Sequence, residues 1–264
     1  MVITAIISFG LTALFLGILL SLANKFFAVR DDPKVESILG CLPGVNCGAC
    51  GYPGCNGYAV AVAGGEAEVN RCTVGGNETA KTIAGIMGVD AKAAEKCVAR
   101  LFCQGGKSKS SEKFEYRGII SCQALNIVSG GNKSCSYGCL GMGDCVRVCP
   151  FGALYMNEDK LPVVIEEKCT ACGRCVQTCP RTLYELLPAA KRVVIACRSF
   201  DKGADTRKAC KVGCIACKRC EKACPENAIT VENNLAKINY SICKNTAACV
   251  GVCPQKTIMK FPPL

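Results

Sequence analysis

Cysteine recurs in this chain on a fixed ruler, and no other feature limits its folding so tightly. The run Cys169-x2-Cys172-x2-Cys175-x3-Cys179-Pro180 is answered by Cys214-x2-Cys217-x2-Cys220-x3-Cys224-Pro225. A longer repeat encloses both. Cys122, Cys135, Cys139, Cys145 and Cys149-Pro150 return 75 residues later as Cys197, Cys210, Cys214, Cys220 and Cys224-Pro225. Cys169, Cys175 and Cys179-Pro180 return after 74 residues as Cys243, Cys249 and Cys253-Pro254. The C-terminal half therefore reads as one module used twice.

What the chain lacks sharpens the point. Its 264 residues include 25 cysteines, no histidine and no tryptophan, and aromatics make up only 6%. Large side chains are too few for a conventional core, so cross-links must hold the modules. Without histidine, His-ligated haem, Rieske centres, Cys/His zinc fingers and histidine general-base catalysis are excluded. All-thiolate metal sites remain.

No charged side chain occurs from Met1 to Asn24. This apolar run is long enough to span a bilayer, which takes about 20 residues. A cleaved signal peptide fits less well, because no basic region precedes the run and no small-x-small site follows it. Lys25 and Arg30 come directly after. The positive-inside rule then puts the cysteine-rich body in the cytoplasm, at the inner face of a single-pass membrane anchor. Cytoplasmic thiols stay reduced, which favours metal ligation over disulfides.

The two unbroken runs match the bacterial ferredoxin spacing, in which three thiolates hold one cubane and the fourth crosses to its neighbour. Crossover predicts four C-terminal centres. The first takes Cys135, Cys139, Cys145 and Cys179, since Met142 stands where a middle ligand belongs. The second takes Cys149, Cys169, Cys172 and Cys175, and the third Cys214, Cys217, Cys220 and Cys253. The fourth has Cys224, Cys243 and Cys249, with Thr246 in the middle position. It would carry a [3Fe–4S] cluster, or a [4Fe–4S] cluster with a non-cysteine or distant fourth ligand. Cys97, Cys103, Cys122, Cys197 and Cys210 are left over. Cys122, Cys197 and Cys210 are candidates for an additional cluster, against the plain reading of small buried strand residues.

Upstream, Cys47-x2-Cys50-x4-Cys55-x16-Cys72 lies among Gly48, Gly51, Gly54 and Gly57, with Cys41 outside the pattern. Four thiols at this spacing suit an iron–sulfur site or, less well, zinc, which favours two separated CxxC pairs. Short helices are expected at Pro33, over Glu78–Gly88 and over Ala91–Ala99, and a solvated loop over Lys107–Lys113. β-hairpins are expected at 154–156 with 162–165 and at 229–231 with 236–238.

The stretch NCGACGYPGCNGYA through NRC resembles a small four-iron domain shared by Rnf B subunits and corrinoid iron–sulfur proteins. That resemblance implies a [4Fe–4S] cluster on Cys47, Cys50, Cys55 and Cys72. The order of parts, with GNKSCSYGCLGMGDCVRVCPFGA leading the first ferredoxin module, closely resembles the B subunit of the Rnf complex in its longer anaerobe form. The fold implied is α+β: a transmembrane anchor (1–24), a connector (25–40), the four-Cys domain (41–90), a linking segment (91–134) and two ferredoxin modules (135–190 and 191–264). The resemblance implies an electron-transfer subunit of a ferredoxin:NAD+ oxidoreductase that translocates Na+ or H+. Five or six clusters would relay electrons from soluble ferredoxin to membrane subunits, with no nucleic-acid partner and no substrate-transforming site in this chain. No GxGxxG opening a βαβ unit and no Walker motif occurs here. A polyferredoxin of another membrane hydrogenase or dehydrogenase lacks the Cys47–Cys72 domain. A corrinoid enzyme would need a cobamide domain, for which there is no room. A zinc-stabilised scaffold is disfavoured by the two unbroken runs. The formal charge of +11 matches the roughly −2 carried by each of about five or six thiolate-bound cubanes.

Overall fold

The uncharged N-terminal run forms α1 (Val2–Phe27). The structure is a computed structural model and describes residues 2–27, 32–91, 93 and 95–262. Twenty residues of α1, Ile6–Lys25, have a mean hydropathy of 2.4. Ile6, Phe9, Leu11, Phe15 and Leu20 stand exposed around the helix, as an all-apolar helix does when lipid covers it. Lys25 lies in its last turn; Arg30 lies outside the described residues.

The expected connector contributes to the next core. α2 (Pro33–Cys41) starts where the Asp32 side chain accepts the Lys34 amide at 2.9 Å, an N-cap with proline in the first turn. It packs on α3 (Gly54–Ala63) and α4 (Gly76–Met87). Ile38, Leu42, Tyr58, Ala59, Val62 and Ile83 form the shared core. Gly88 ends α4 at φ 68°.

The first ferredoxin module contains β1 (Cys97–Leu101), α5 (Cys122–Ile127), α6 (Asp144–Arg147), β2 (Leu154–Met156), β3 (Pro162–Val164), α7 (Arg174–Thr178) and β4 (Tyr184–Pro188). β1 and β4 pair antiparallel, with Cys97 opposite Pro188; β2 and β3 form a hairpin, with Leu154 opposite Val164. The helix expected over Ala91–Ala99 is thus replaced at Cys97 by a strand. The cause is tertiary: the KCVARL segment finds its partner almost 90 residues away. The linking segment supplies both β1 and α5.

The second module repeats the plan with β5 (Val193–Ile195), α8 (Gly203–Ala209), α9 (Arg219–Lys222), β6 (Ile229–Glu232), β7 (Leu235–Ile238), α10 (Ala248–Gly251) and β8 (Ile258–Lys260). β5 pairs with β8 and β6 with β7, both antiparallel. The Phe102 amide donates to Leu183 O in the first module, and the Ala196 amide to Thr257 O in the second. These equivalent bonds set β1 against β5, and the residues after them in register.

Several contacts join the modules, including the Arg198–Glu185 ion pair and the Gln104 side-chain amide on Thr257 O at 2.9 Å, and two more bear on the site. Arg100 on β1, 1% exposed, pairs with Glu166 and lies 4.2 Å from the centre of the Phe261 ring. Arg192 bonds the other Glu166 oxygen at 2.7 Å. The second contact is the segment expected to be a solvated loop, Lys107–Lys113. Ser110 is buried and bridges to Cys210, the Ser111 amide donates to Ala209 O at 3.0 Å, and the Lys211 amide donates to Lys109 O at 2.8 Å. Its side chains other than Ser110 are exposed, as expected of a solvated loop, while its backbone makes the bonds of a strut.

Candidate metal centres

Three cavities in the ferredoxin modules are lined by four cysteines each and have similar empty volumes, open mouths included. Cys149, Cys169, Cys172 and Cys175 surround about 340 Å³. Cys214, Cys217, Cys220 and Cys253 surround about 360 Å³. These are the sets expected for the second and third centres. The remaining cavity, of about 390 Å³, differs from expectation: its cysteines are Cys122, Cys139, Cys145 and Cys179, and Cys135 is not among them.

Asp144 explains why Cys122 is there. Its carboxylate accepts from the Ser121 hydroxyl at 3.0 Å and from the Cys122 and Gln123 amides at 2.9 and 3.3 Å, and Arg147 pairs with it. Burial works against this charge, but those bonds and Arg147 hold the Asp144 carboxyl below its ordinary range. The start of α5 is thereby fixed against α6. The backbone of Met142 faces the Cys122 sulfur, so Cys122 fills the corner that the residue 142 side chain leaves without a thiol.

Backbone amides face many of the sulfurs. The amide four residues on donates to Cys149, Cys224 and Cys253 at 3.3 to 3.4 Å, from Ala153, Ala228 and Thr257. The Ala99 amide reaches Cys169 at 3.4 Å, and the Tyr184 hydroxyl reaches Cys145 at 3.3 Å. Burial pushes the Cys175 thiol up to about 12, with help from neighbouring Cys169 and Cys172. Burial also raises Cys220 to about 11, and the Cys139 thiol well above its usual range. Such groups resist ionisation when bare and lose their protons when iron binds.

In the N-terminal domain, Cys47, Cys50 and Cys55 are charge neighbours of Cys72, whose sulfur accepts the Gly75 amide at 3.4 Å. Tyr58 secures the returning loop: its hydroxyl donates to Glu68 O at 2.8 Å and accepts the Arg71 amide at 3.2 Å. Cys41 donates to Ser37 O of its own helix at 3.2 Å and packs against the domain core. Cys97 lies on β1 and lines none of these cavities.

At the fourth ferredoxin position Cys224 and Cys243 neighbour Cys249. Thr246 is exposed, and its hydroxyl meets Glu226 Oε2 at 3.2 Å; the same oxygen lies 3.8 Å from Cys224 Sγ. A carboxylate therefore stands near the corner that lacks a thiol.

Residues of the same kind border each other between sets. Cys47 neighbours Cys172, Cys145 neighbours Cys175, and Cys253 neighbours Cys249. Cys103, Cys135, Cys197 and Cys210 meet in a further cavity between the modules. Among the described residues, no three Cys, Asp or Glu side chains close on one point as ligands of a single metal ion do. Thiols spread around a cavity, with amides aimed at sulfur, fit a cluster better than zinc.

Two family descriptions match the chain. Residues 42–74 match "Putative Fe-S cluster", and residues 134–183 and 213–257 match "4Fe-4S dicluster domain". The B subunit of the Na+-translocating ferredoxin:NAD+ oxidoreductase complex of Acetobacterium woodii is 48% identical over 249 residues, covering 94% of this chain and 75% of that protein. The chain belongs to the B subunits of ion-translocating oxidoreductase complexes, the Rnf family. The B subunit of the ion-translocating oxidoreductase complex of Methanosarcina acetivorans is 40% identical, covering 92% of each protein. Its counterpart in the proton-translocating ferredoxin:NAD+ oxidoreductase complex of Clostridium ljungdahlii is 41% identical, covering 97% of this chain and 92% of that one. Membership of the Rnf family, together with α1, makes this chain a membrane-associated iron–sulfur component of a larger assembly.

Proposed function

We propose that this Rnf family member accepts single electrons from a soluble ferredoxin and passes them to membrane subunits of a ferredoxin:NAD+ oxidoreductase that translocates Na+ or H+. The observation that carries the reading is the file of bordering cysteine sets. Cys47 of the N-terminal domain lies within electrostatic range of Cys172, and Cys175 packs in one cluster with Cys145. In the second module Cys253 and Cys249 do the same.

The residues assigned as ligands are Cys47, Cys50, Cys55 and Cys72; Cys122, Cys139, Cys145 and Cys179; Cys149, Cys169, Cys172 and Cys175; and Cys214, Cys217, Cys220 and Cys253. Cys224, Cys243 and Cys249 hold the last, with Glu226 or solvent at the fourth corner of a cubane, or no fourth iron at all. Each cluster, when bound, gains and loses one electron with no bond made or broken in a substrate. The protein's part is to fix spacing, exclude water and aim N–H groups at sulfur, which tune the potential. α1 crosses the membrane once, with Lys25 and the cysteine-rich body on the cytoplasmic side. Surface lysines and arginines steer an acidic donor.

Mixing the anaerobic full-length chain in detergent with reduced ferredoxin tests this reading. Each electron that enters the chain leaves the ferredoxin, so freeze-quenched EPR spectra are expected to show the ferredoxin's reduced signal decaying as the chain's reduced-cluster signals grow, rapidly at low salt and more slowly as salt rises. Failure of ferredoxin to reduce the chain would refute the donor assignment, and salt-independent association would refute the steering.

A further inference from the structure

The file of ligand sets assigned above has one gap, between Cys139 in the first module and Cys214 in the second. We infer that Cys103, Cys135, Cys197 and Cys210 hold an additional [4Fe–4S] cluster in that gap, ligated equally by both modules. The site stands on geometry alone; its role as a bridge rests on the electron-relay reading.

The four thiols line a cavity of about 400 Å³, open mouth included, comparable to the other four-cysteine cavities. Their arrangement follows the internal symmetry. Cys103 comes two residues after β1 and Cys197 two residues after β5. The Cys139 amide donates to Cys103 Sγ at 3.4 Å, and the repeat-equivalent Cys214 amide donates to Cys197 Sγ at 3.3 Å. Cys135 and Cys210 are likewise a pair. Tyr137 and Gly138 turn their amides towards the Cys135 sulfur, and Val212 and Gly213 towards that of Cys210. Each module thus presents two thiols, with matching amide donors, to the other. The spacing of 75 that matched Cys122 with Cys197 misleads here. Cys103 is the structural partner of Cys197, and Cys122 belongs to a longer insertion.

The charge balance agrees. Lys133 is 4% exposed, donates to Gly105 O and lines the same cavity. Among the described residues no carboxylate lies within 4.0 Å of its ammonium; Asp159 is a more distant charge neighbour, and so are Cys139 and Cys210 of the clustered thiols. A buried cation needs an opposite charge nearby, and a thiolate-bound cubane of about −2 supplies one. Gly105 leaves room for the sulfurs: a Cβ there would lie 3.1 Å from Cys210 Sγ. The bridge adds no chemistry beyond electron passage: one electron arrives from a neighbouring reduced cluster, which is reoxidised, and leaves to the next.

The full-length chain, isolated anaerobically in detergent, gives the test. With this site filled, about 23–24 irons per chain are expected, against about 19–20 without it. The variant Cys135→Ser/Cys210→Ser is expected to lose about four irons, about four sulfides and one spin from the fully reduced spectrum. Cys197→Ser, retaining three thiols, is expected to lose at least one iron, whereas Cys41→Ser keeps the full count. Wild-type protein at about 19–20 irons, or a double variant with unchanged iron, overturns the inference. So does one zinc per chain replacing the missing iron. Those results leave the relay reading standing, which falls only if iron and sulfide are absent throughout. If the double variant does not fold, the wild-type count decides.

Discussion

Replacing Cys122 with serine is expected to strip iron from one centre and spare its neighbours, and a second substitution is expected to restore it. Cys122 lines a cavity with Cys139, Cys145 and Cys179, so its loss leaves three thiols and removes at least about one iron from a total of about 23–24. The repeat says where a substitute belongs. Cys172 stands between Ala171 at φ 55° and Gly173 at φ 75°, and Cys217 between Ala216 at φ 53° and Lys218 at φ 59°. Met142 stands between Gly141 at φ 74° and Gly143 at φ 79°. Left-handed residues on both sides are uncommon and give all three positions the same backbone path. Cys122→Ser/Met142→Cys therefore restores the ordinary ferredoxin run, and the lost iron is expected to return, giving a full cubane of about four irons. Iron, acid-labile sulfide and the spin count of the reduced protein, measured on all three chains, provide the assay. Full iron in Cys122→Ser would refute the ligand assignment. So would a double variant that recovers no iron while the other centres stay filled.

Thr246 lies on the same backbone path, flanked by Asn245 at φ 61° and Ala247 at φ 60°. Thr246→Cys is expected to supply a fourth thiolate, shifting the potential of that centre or replacing a three-iron spectrum by a four-iron one; an unchanged spectrum and potential would count against it. Glu166→Ala leaves Arg100 buried without its carboxylate, a loss of about 3–5 kcal/mol. Hydrogen exchange at the Ser111 and Lys211 amides, which tie the strut to the second module, is expected to rise about 10²–10⁴-fold if opening of the interface controls it. Glu166→Gln is expected to act more mildly, and equal exchange in all three chains would show that the pair does not hold the modules. Removing residues 2–27 is expected to release the cysteine-rich body from membranes after cell lysis, and retention in the pellet would contradict the anchor.

Local signals were legible in the sequence. The hairpins at 154–164 and 229–238 follow from alternation between turns, and Gly88 marks the end of α4 because a left-handed residue closes the helix. Two of the cysteine sets follow from the unbroken runs. What the sequence concealed depends on partners far along the chain. Cys97–Leu101 becomes a strand only because Tyr184–Pro188 lies beside it. Lys107–Lys113 looks solvated because its side chains are polar, while its backbone carries the contact to Ala209 and Lys211. The exchange of Cys135 for Cys122 follows from an unequal insertion: 31 residues separate Cys103 from Cys135, and 12 separate Cys197 from Cys210. A fixed spacing cannot see that insertion. The Asp144 contacts to Ser121 and Cys122 offered a weak clue, since Arg219 occupies the matching place in the second module.

An electron relay requires these cysteine sets to hold iron–sulfur clusters, so one composition measurement on the anaerobically isolated full-length chain tests it most directly. At least about 19 irons per chain are expected, with a near-equal amount of acid-labile sulfide and no stoichiometric zinc. About two or more zinc ions per chain with little sulfide would contradict this, and the cysteines would then serve a scaffold instead of a relay.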